Sequence, residues 1–434
     1  MNSADSLFTP DFRPAPYWWD RTPRPGLPRA DPPGEADVVI VGSGYTGLHA
    51  AVQTVRAGLS TVVLDAEDAG YGCSTRNGGQ ISTSIKPGYA ELAKRYGAAT
   101  ATAILKDGQA SLDFTADFIR AEGIDCDHRV VGRFHGAHLS KTYDQLARDC
   151  AAANPAYTTD AFMVAPEDMP RELGTAAYHG GCVFPHHASV DPARYHAGLL
   201  RVAMDAGTTV IPHCPASGLE RGPTGLTVTT PKGRIRAGRV ILATNGYSGP
   251  LSPWHRRRII PIGSYIIATE PIAPDLMDRL FPTDRVLTDT RKLVYYYRPS
   301  PDRTRILFGG RVSVAETDPK KSAPRLHAEL TRLFPDLRGT KVSHSWMGFV
   351  GYTFDTLAHI GDAGGLYYAM GYCGSGVGMA GYLGMKLGRK AAGLDGHETG
   401  LEKLRFPTRP FYSGNPWFLV PTVMAYRLRD RFGV

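Results

Sequence analysis

Residues 36–67, ADVVIVGSGYTGLHAAVQTVRAGLSTVVLDAE, constrain the fold of this chain more than any other stretch. Residues 36–41 form a short β-branched run, as a parallel strand buried on both faces requires. Gly42, Gly44 and Gly47 then give GxGxxG. The first glycine makes the tight turn, the second lets backbone approach a pyrophosphate, and the third lets a helix pack on the strand. A helix opens there, so its first amides and its dipole face the phosphates. Thr61–Leu64 reads as a second strand, with Asp65 at its tip to receive ribose hydroxyls. GxGxxG alone is a weak signal. Inside a complete strand, turn, helix, strand and acid it reads as a dinucleotide site rather than an ordinary glycine turn.

With 434 residues the chain has core enough for two or three domains. Its net charge is +8 and its pI about 9.1, but the positive charges are scattered. The densest run, His255 to Arg258, is shorter than a nucleic-acid footprint and reads as a solvated loop. Cys73, Cys126, Cys150, Cys182, Cys214 and Cys373 are widely spaced, with no CxxC and no zinc-ligand pattern. No signal peptide pattern and no apolar run of membrane-spanning length is visible. The expectation is a reduced, cytoplasmic protein with no bound metal, no nucleic acid partner and no membrane span.

Residues 1–35 are rich in proline and glycine and carry Tyr17-Trp18-Trp19, so they read as an extended arm that lays its aromatics on the body. Residues 69–82 are turn-rich. Residues 88–122 and 140–151 read as helices, as does the segment opening at Asp191-Pro192, a cap followed by proline in the first turn. Residues 219–247 show two turn signals, Pro-Thr-Gly and Pro-Lys-Gly, between alternating strands, ending in a buried-type strand at 239–243. Residues 258–315 read as sheet, 324–334 as helix, and 366–393 as strand, glycine turn and long helix. No tandem repeat is present.

The late glycine turn, GYCGSGVG, favours a flavin over a nicotinamide. A helix starting near Ser375 would stabilise negative charge on the pyrimidine end of an isoalloxazine as it accepts hydride. Gly371, Gly374, Gly376 and Gly378 permit close backbone approach, whereas Gly381 and Gly384 suit helix packing.

Taken together, GSGYTG, CSTRNGGQIS, VILATNGY, SYIIATEPI, GFVGYTFDTLAHIG and GYCGSGVGMAGYLG resemble the FAD-dependent amine oxidases of the D-amino-acid oxidase superfamily. The gamma-glutamylputrescine oxidase group is the nearest in pattern, and the likeness runs from Tyr17 to the tail at 415–430. It implies an α/β fold, α+β overall: a glutathione-reductase-type FAD-binding Rossmann domain with an antiparallel-sheet substrate domain. The implied division is an arm (1–35), a discontinuous FAD domain (36–90, 190–250 and 350–395), a substrate domain (91–189 and 251–349) and a tail (396–434). It implies FAD held by Gly42, Ser43, Gly44, Tyr45, Thr46, Gly47, Asp65 and Ala66. Ser74, Thr75, Arg76, Asn77, Gly78, Gly79 and Gln80 match the loop that wraps the flavin end. Thr244, Asn245 and Gly246 join them, as do Gly371, Gly374, Ser375, Gly376, Val377 and Gly378.

The implied reaction oxidises the C–N bond of a small-molecule amine, gamma-glutamylputrescine-like or another primary or secondary amine. The imine then hydrolyses to an aldehyde, and dioxygen or another acceptor takes the electrons. The flavin supplies reactivity and the protein supplies positioning. An aromatic pocket would keep the amine neutral by desolvation. Tyr265, Tyr295, Tyr296, Tyr297, Trp346 and Tyr352 offer such rings, although each is of a type that commonly lies in a core. Trp346, Tyr352 and Tyr265 are the catalytic candidates.

Two departures from the family pattern stand out. Cys73 occupies a position usually held by a small residue, and noncovalent FAD is expected nonetheless. Thr353-Phe354-Asp355 lacks the usual proline. RILFGG at 305–310 also lacks the lysine that some relatives place over the flavin, which leaves a dehydrogenase open. The alternative substrate is an N-methyl or cyclic amino acid, for which Arg133, Arg298 and Arg311 are candidate carboxylate clamps. His186, His187 and His359 read as structural. A flavin-binding sensor without turnover is a further alternative.

Overall fold

The computed structural model describes residues 7–83, 85–223, 225–311 and 315–433. Two sheets organise them. The first is built on Glu35–Val41, whose Val38, Val39 and Ile40 are fully buried. Burial of each such side chain stabilises by about 1.5–3 kcal/mol, which fixes this strand at the centre. The helix Tyr45–Arg56 crosses to the parallel strand Thr61–Leu64, and Pro192–Asp205 leads to Thr209–Ile211 beside it. On the other side lies Gly233–Leu242. This strand changes partners along its length. Its first half closes an antiparallel meander with Gly218–Gly222 and Gly225–Thr230, and its last residues, 240–242, run parallel to Leu366–Met370. Both turn signals of the 219–247 segment fall between these strands.

The second sheet has nine strands and is mostly antiparallel. It centres on Ile260–Thr269 and Val342–Tyr352, with Ile306–Gly310, Tyr296–Pro299 and Val286–Asp289 continuing it. Arg133–Gly136, Gly181–Phe184 and Phe162–Val164 complete it, three short strands not apparent in the residue pattern. Alternation gives the sheet two faces. Tyr265, Ile267, Tyr297 and Phe308 pack on the helix Pro319–Leu333. Ile266, Trp346 and Tyr296 face the first sheet's glycine loops.

Three features differ from the expected layout. The arm is not wholly extended: Phe8–Arg13 adds an edge strand parallel to Val342–Tyr352, and Tyr17–Arg21 is a short helix. The helix of 88–122 is broken into Tyr89–Tyr96 and Ala98–Ala121 by Gly97 at φ +83°, a conformation glycine adopts without strain. Ala98–Ala121, assigned above with the substrate part, shares one core with Tyr45–Arg56 and Gly376–Ala392.

No helix among the described residues is long and apolar enough to cross a membrane, and no group of His, Cys, Asp and Glu among them could hold a metal ion. All six cysteines are free thiols. The arginine run ties down the tail: Arg258 donates to the Phe406 carbonyl at 3.0 Å and stacks 3.7 Å from the centre of Trp254.

Candidate active site

The dinucleotide turn has the geometry its glycines require. Gly42 sits at φ +106°. A Cβ on Gly47 would overlap the Gly42 carbonyl oxygen, and one on Gly44 would lie 2.8 Å from the Ser74 hydroxyl. The Asp65 carboxylate accepts from the Ser43 amide at 2.9 Å and the Ser43 hydroxyl at 2.5 Å. His196, absent from the sequence candidates, donates its Nε2 proton to the Ser43 carbonyl at 2.8 Å. Burial pushes this histidine down to about 4, so it stays neutral and the tautomer is set by that bond. Ala66 is exposed beyond the strand tip.

The other predicted cofactor segments converge on this turn. Ser74 Oγ accepts from the Tyr45 amide at 3.0 Å. Thr46 Oγ1 and the Tyr372 hydroxyl are 2.6 Å apart, joining the first glycine loop to the last. Asn245 Oδ1 accepts from the Gly371 amide at 2.9 Å, bringing in the central segment. Thr244 Oγ1 lies 2.7 Å from the Ser248 hydroxyl and closes the same turn, while Gly246 packs against the Phe349 carbonyl. Gly378 lies differently: it packs on Ser111 of the helix Ala98–Ala121. Val377 is buried beside it, whereas Gly374, at φ +101°, is open except for the Tyr352 hydroxyl 3.9 Å from its Cβ position.

Three indoles hold the loop of residues 74–80. Trp19 Nε1 donates to the Thr75 hydroxyl at 2.9 Å, Trp346 Nε1 to the Arg76 carbonyl at 2.8 Å, and Trp18 Nε1 to the Asn77 carbonyl at 2.8 Å. Asn77 in turn donates to the Cys73 and Ser74 carbonyls and accepts from the Gly79 amide at 2.8 Å. Gln80 donates to the Leu287 and Tyr297 carbonyls of the second sheet. Trp346 is therefore a buried anchor of the loop. Tyr265 lies on the far face of its sheet, its hydroxyl donating to Glu316 at 2.8 Å. Of the three catalytic candidates, Trp346 and Tyr352 both approach the glycine loops, Trp346 through its bond to the Arg76 carbonyl and Tyr352 through a hydroxyl 3.9 Å from the Cβ position of Gly374.

Tyr296, one of the weighed aromatics, is better placed than Tyr265. Its ring lies 3.1 Å from the Cβ position of Gly78, and its hydroxyl is 2.9 Å from Ser264 Oγ. Nothing in the residue pattern points to Lys86. Its ammonium sits 5.2 Å from the centre of the Tyr352 ring. Desolvation opposes its charge, but Tyr352 and then Cys373 more than offset this, so the net shift is upward. Arg133 adds a second positive charge felt at Lys86, and its guanidinium lies 4.7 Å over Phe184. His135 and His187 stay neutral, pushed down to about 3 and about 2 by burial first and Arg133 second. Arg298 donates to the Gly79 and Val190 carbonyls at 3.0 Å, and Arg311 pairs with Glu316 at 2.8 Å. His359 stacks on Phe406 and bonds Asp355, and the exposed His186 pairs with Asp160.

These residues fit an FAD. Among the described residues, neither the helix beginning at Tyr45 nor that beginning at Gly376 is capped by the side chain of its own N-cap residue; Ser74 takes the Tyr45 amide, and the amides that follow it, with those opening the Gly376 helix, can meet anionic groups. Arg24, from the arm, donates to the Ala69 carbonyl, yet its Nε is buried with no hydrogen-bond partner among the described residues. It lies within the field of Asp65 and Asp68, where a pyrophosphate or ribose would supply the missing acceptor. Arg24→Gln is expected to raise the FAD dissociation constant about tenfold, as read by fluorescence titration of the apoprotein.

A model of the DAO family, FAD dependent oxidoreductase, matches residues 37–389. "Probable oxidoreductase OrdL" of Rhizobium meliloti (strain 1021) is 30% identical over 427 residues, 96% of this chain and 97% of that protein. Gamma-glutamylputrescine oxidoreductase of Escherichia coli (strain K12) is 31% identical over 412 residues, 92% and 93% of the two chains. Among solved structures, glycine oxidase from Geobacillus kaustophilus superposes with a TM-score of 0.70 at 17% identity, covering 88% of this chain and 99% of that one. L-proline dehydrogenase from P. horikoshii gives 0.69 at 17% identity, covering 82% and 93%. At these identities the structural likenesses establish the fold.

Proposed function

The chain belongs to the DAO family of FAD-dependent oxidoreductases, and within it we propose an amine oxidase whose substrate carries a carboxylate remote from the oxidised C–N bond, as a gamma-glutamylated polyamine does. The observation that carries this reading is the pairing of aromatic walls, Tyr352 and Tyr296, with the two cations Lys86 and Arg133. Bound FAD supplies the hydride acceptor. Tyr352 and Tyr296 exclude water and hold the amine neutral, which hydride loss requires. Lys86 and Arg133 receive the carboxylate and set the distance of the reacting carbon from the cofactor. The imine leaves to hydrolyse to an aldehyde, and dioxygen is the proposed electron acceptor, reduced to hydrogen peroxide.

The FAD is proposed to be noncovalent. The Cys73 thiol donates to the Phe349 carbonyl at 2.8 Å and is pushed up to about 11 by burial, so it is a poor nucleophile at neutral pH. Acid precipitation is expected to release all the flavin.

Anaerobic mixing with a panel of amines tests the reading: carboxylate-bearing amines should bleach the flavin band, and air should restore it with one peroxide per turnover. An amine-independent yellow protein would sink it. Lys86→Met is expected to raise KM about tenfold for carboxylate-bearing amines and leave a plain monoamine unchanged. Equal KM shifts for both classes would remove Lys86 from carboxylate recognition.

A further inference from the structure

The helix Leu419–Phe432 presents its apolar residues outward. Leu419 and Val423 are buried, and Asp430, the helix's one acid, accepts from the Lys292 and Leu293 amides at 2.7 and 3.0 Å. These contacts fix which face meets the body. The opposite face carries Val420, Met424, Leu428 and Phe432 at four-residue spacing, a single stripe on an α-helix. Met424 is 55% exposed, Leu428 58%, Phe432 63%, and Trp417, just before the helix, 65%. Single exposed apolar side chains are ordinary, but a continuous stripe marks an interaction surface.

Two further observations say what covers it. Arg427, Arg429 and Arg431 are exposed along the stripe, with the Arg431 guanidinium 5.4 Å from the centre of the Phe432 ring. Phe411, next to the Tyr412 whose ring lies 5.7 Å from that of Phe418 at the start of the helix, is 95% exposed and is held at φ +60°, a costly conformation for a bulky residue. A second copy packed face to face would set these arginines against their own equivalents, with Asp430 already engaged on the body. An anionic bilayer complements both features: acyl chains take the stripe and Phe411, headgroups take the arginines, and Trp417 suits the boundary. We propose that this helix, with Phe411 and Trp417, lies in the surface of an anionic membrane and makes the protein a peripheral membrane enzyme.

The test is co-sedimentation of the flavin-loaded protein with vesicles of equimolar phosphatidylcholine and phosphatidylglycerol. Wild type should pellet with them, shift its tryptophan emission to the blue, bind pure phosphatidylcholine more weakly and release in high salt. Met424→Glu with Leu428→Glu should lower the partition coefficient at least about tenfold. Both positions are exposed and remote from the glycine loops, so flavin content and soluble turnover should match wild type and report correct folding. Equal binding by the double variant would overturn the proposal, as would wild type staying in the supernatant. A dimer in light scattering that the double variant dissolves, without vesicle binding, would assign the stripe to a second copy instead.

Discussion

Alanine at Gly47 is expected to yield a protein that purifies without flavin and melts far below wild type. The added Cβ would overlap the Gly42 carbonyl oxygen and lie 3.2 Å from Ile40 Cγ2. Both neighbours belong to the buried central strand and the turn that ends it, so neither has room to retreat. Forcing an extra carbon into a closed backbone contact costs about 3 kcal/mol or more. The strain is relieved by lifting the helix Tyr45–Arg56 off the strand. That motion moves its first-turn amides away from the phosphates and breaks the 2.6 Å link between Thr46 and Tyr372 that joins the two glycine loops. Stability and cofactor retention should therefore fall together. Gly249→Ala is the control, because nothing lies within 4 Å of its Cβ position. The measurement is the ratio of flavin to protein absorbance alongside a thermal melt. Full flavin occupancy in the Gly47 variant would show that the turn does not close as described.

What was legible from the residues follows from how local each feature is. The strand, turn, helix and acid of residues 36–65 are contiguous, and each glycine there has a steric reason visible in the pattern. The same holds for Asp191-Pro192, which caps its helix through the Ala193 and Arg194 amides as expected. The same cap and proline stand at Asp318-Pro319, where the helix starts at Pro319, five residues before the expected start at 324. The long-range features were hidden. Arg133–Gly136 and Gly181–Phe184 are four residues each and exist as strands through pairing with each other, the first also with Val286–Asp289 and the second with Phe162–Val164. Nothing in the residue pattern connects Lys86 with Arg133, whose charge reaches it only in the folded chain. Tyr265 and Tyr296 differ for the same reason. Both lie in apolar alternating strands, and only the register of Tyr265 with Met347, against Ile266 with Trp346, decides which face each ring takes.

Arg21→Ala is expected to cost roughly 3–5 kcal/mol, the range for stripping the partner from a buried charge. One guanidinium from the arm meets three carboxylates: Asp191 at 3.0 Å, Asp127 at 2.8 Å and Asp302 at 3.1 Å. Asp191 belongs to the first sheet's helix layer and Asp302 to a loop of the second sheet, so the residue binds the arm to both halves. Burial alone would depress the guanidinium, but its bonds to Asp191 and Tyr17 keep it firmly protonated. Asp191 has no exposed side-chain area, and burial already raises its carboxyl against the opposing pull of backbone amides and Arg21. Removing Arg21 raises it further. An acid with a raised folded pKa binds its proton more tightly when folded than when unfolded. The defect of the variant is therefore largest where Asp191 is ionised, and it shrinks as pH falls through the raised folded pKa and the carboxyl takes up its proton. Denaturant titration at pH 8 and at pH 5 should show the gap from wild type narrowing at the lower value. Arg21→Lys should fall between, because a single ammonium keeps the charge but lacks the fork that spans three acceptors. A gap that is the same at pH 8 and pH 5 would mean that Asp191 does not carry the stabilisation.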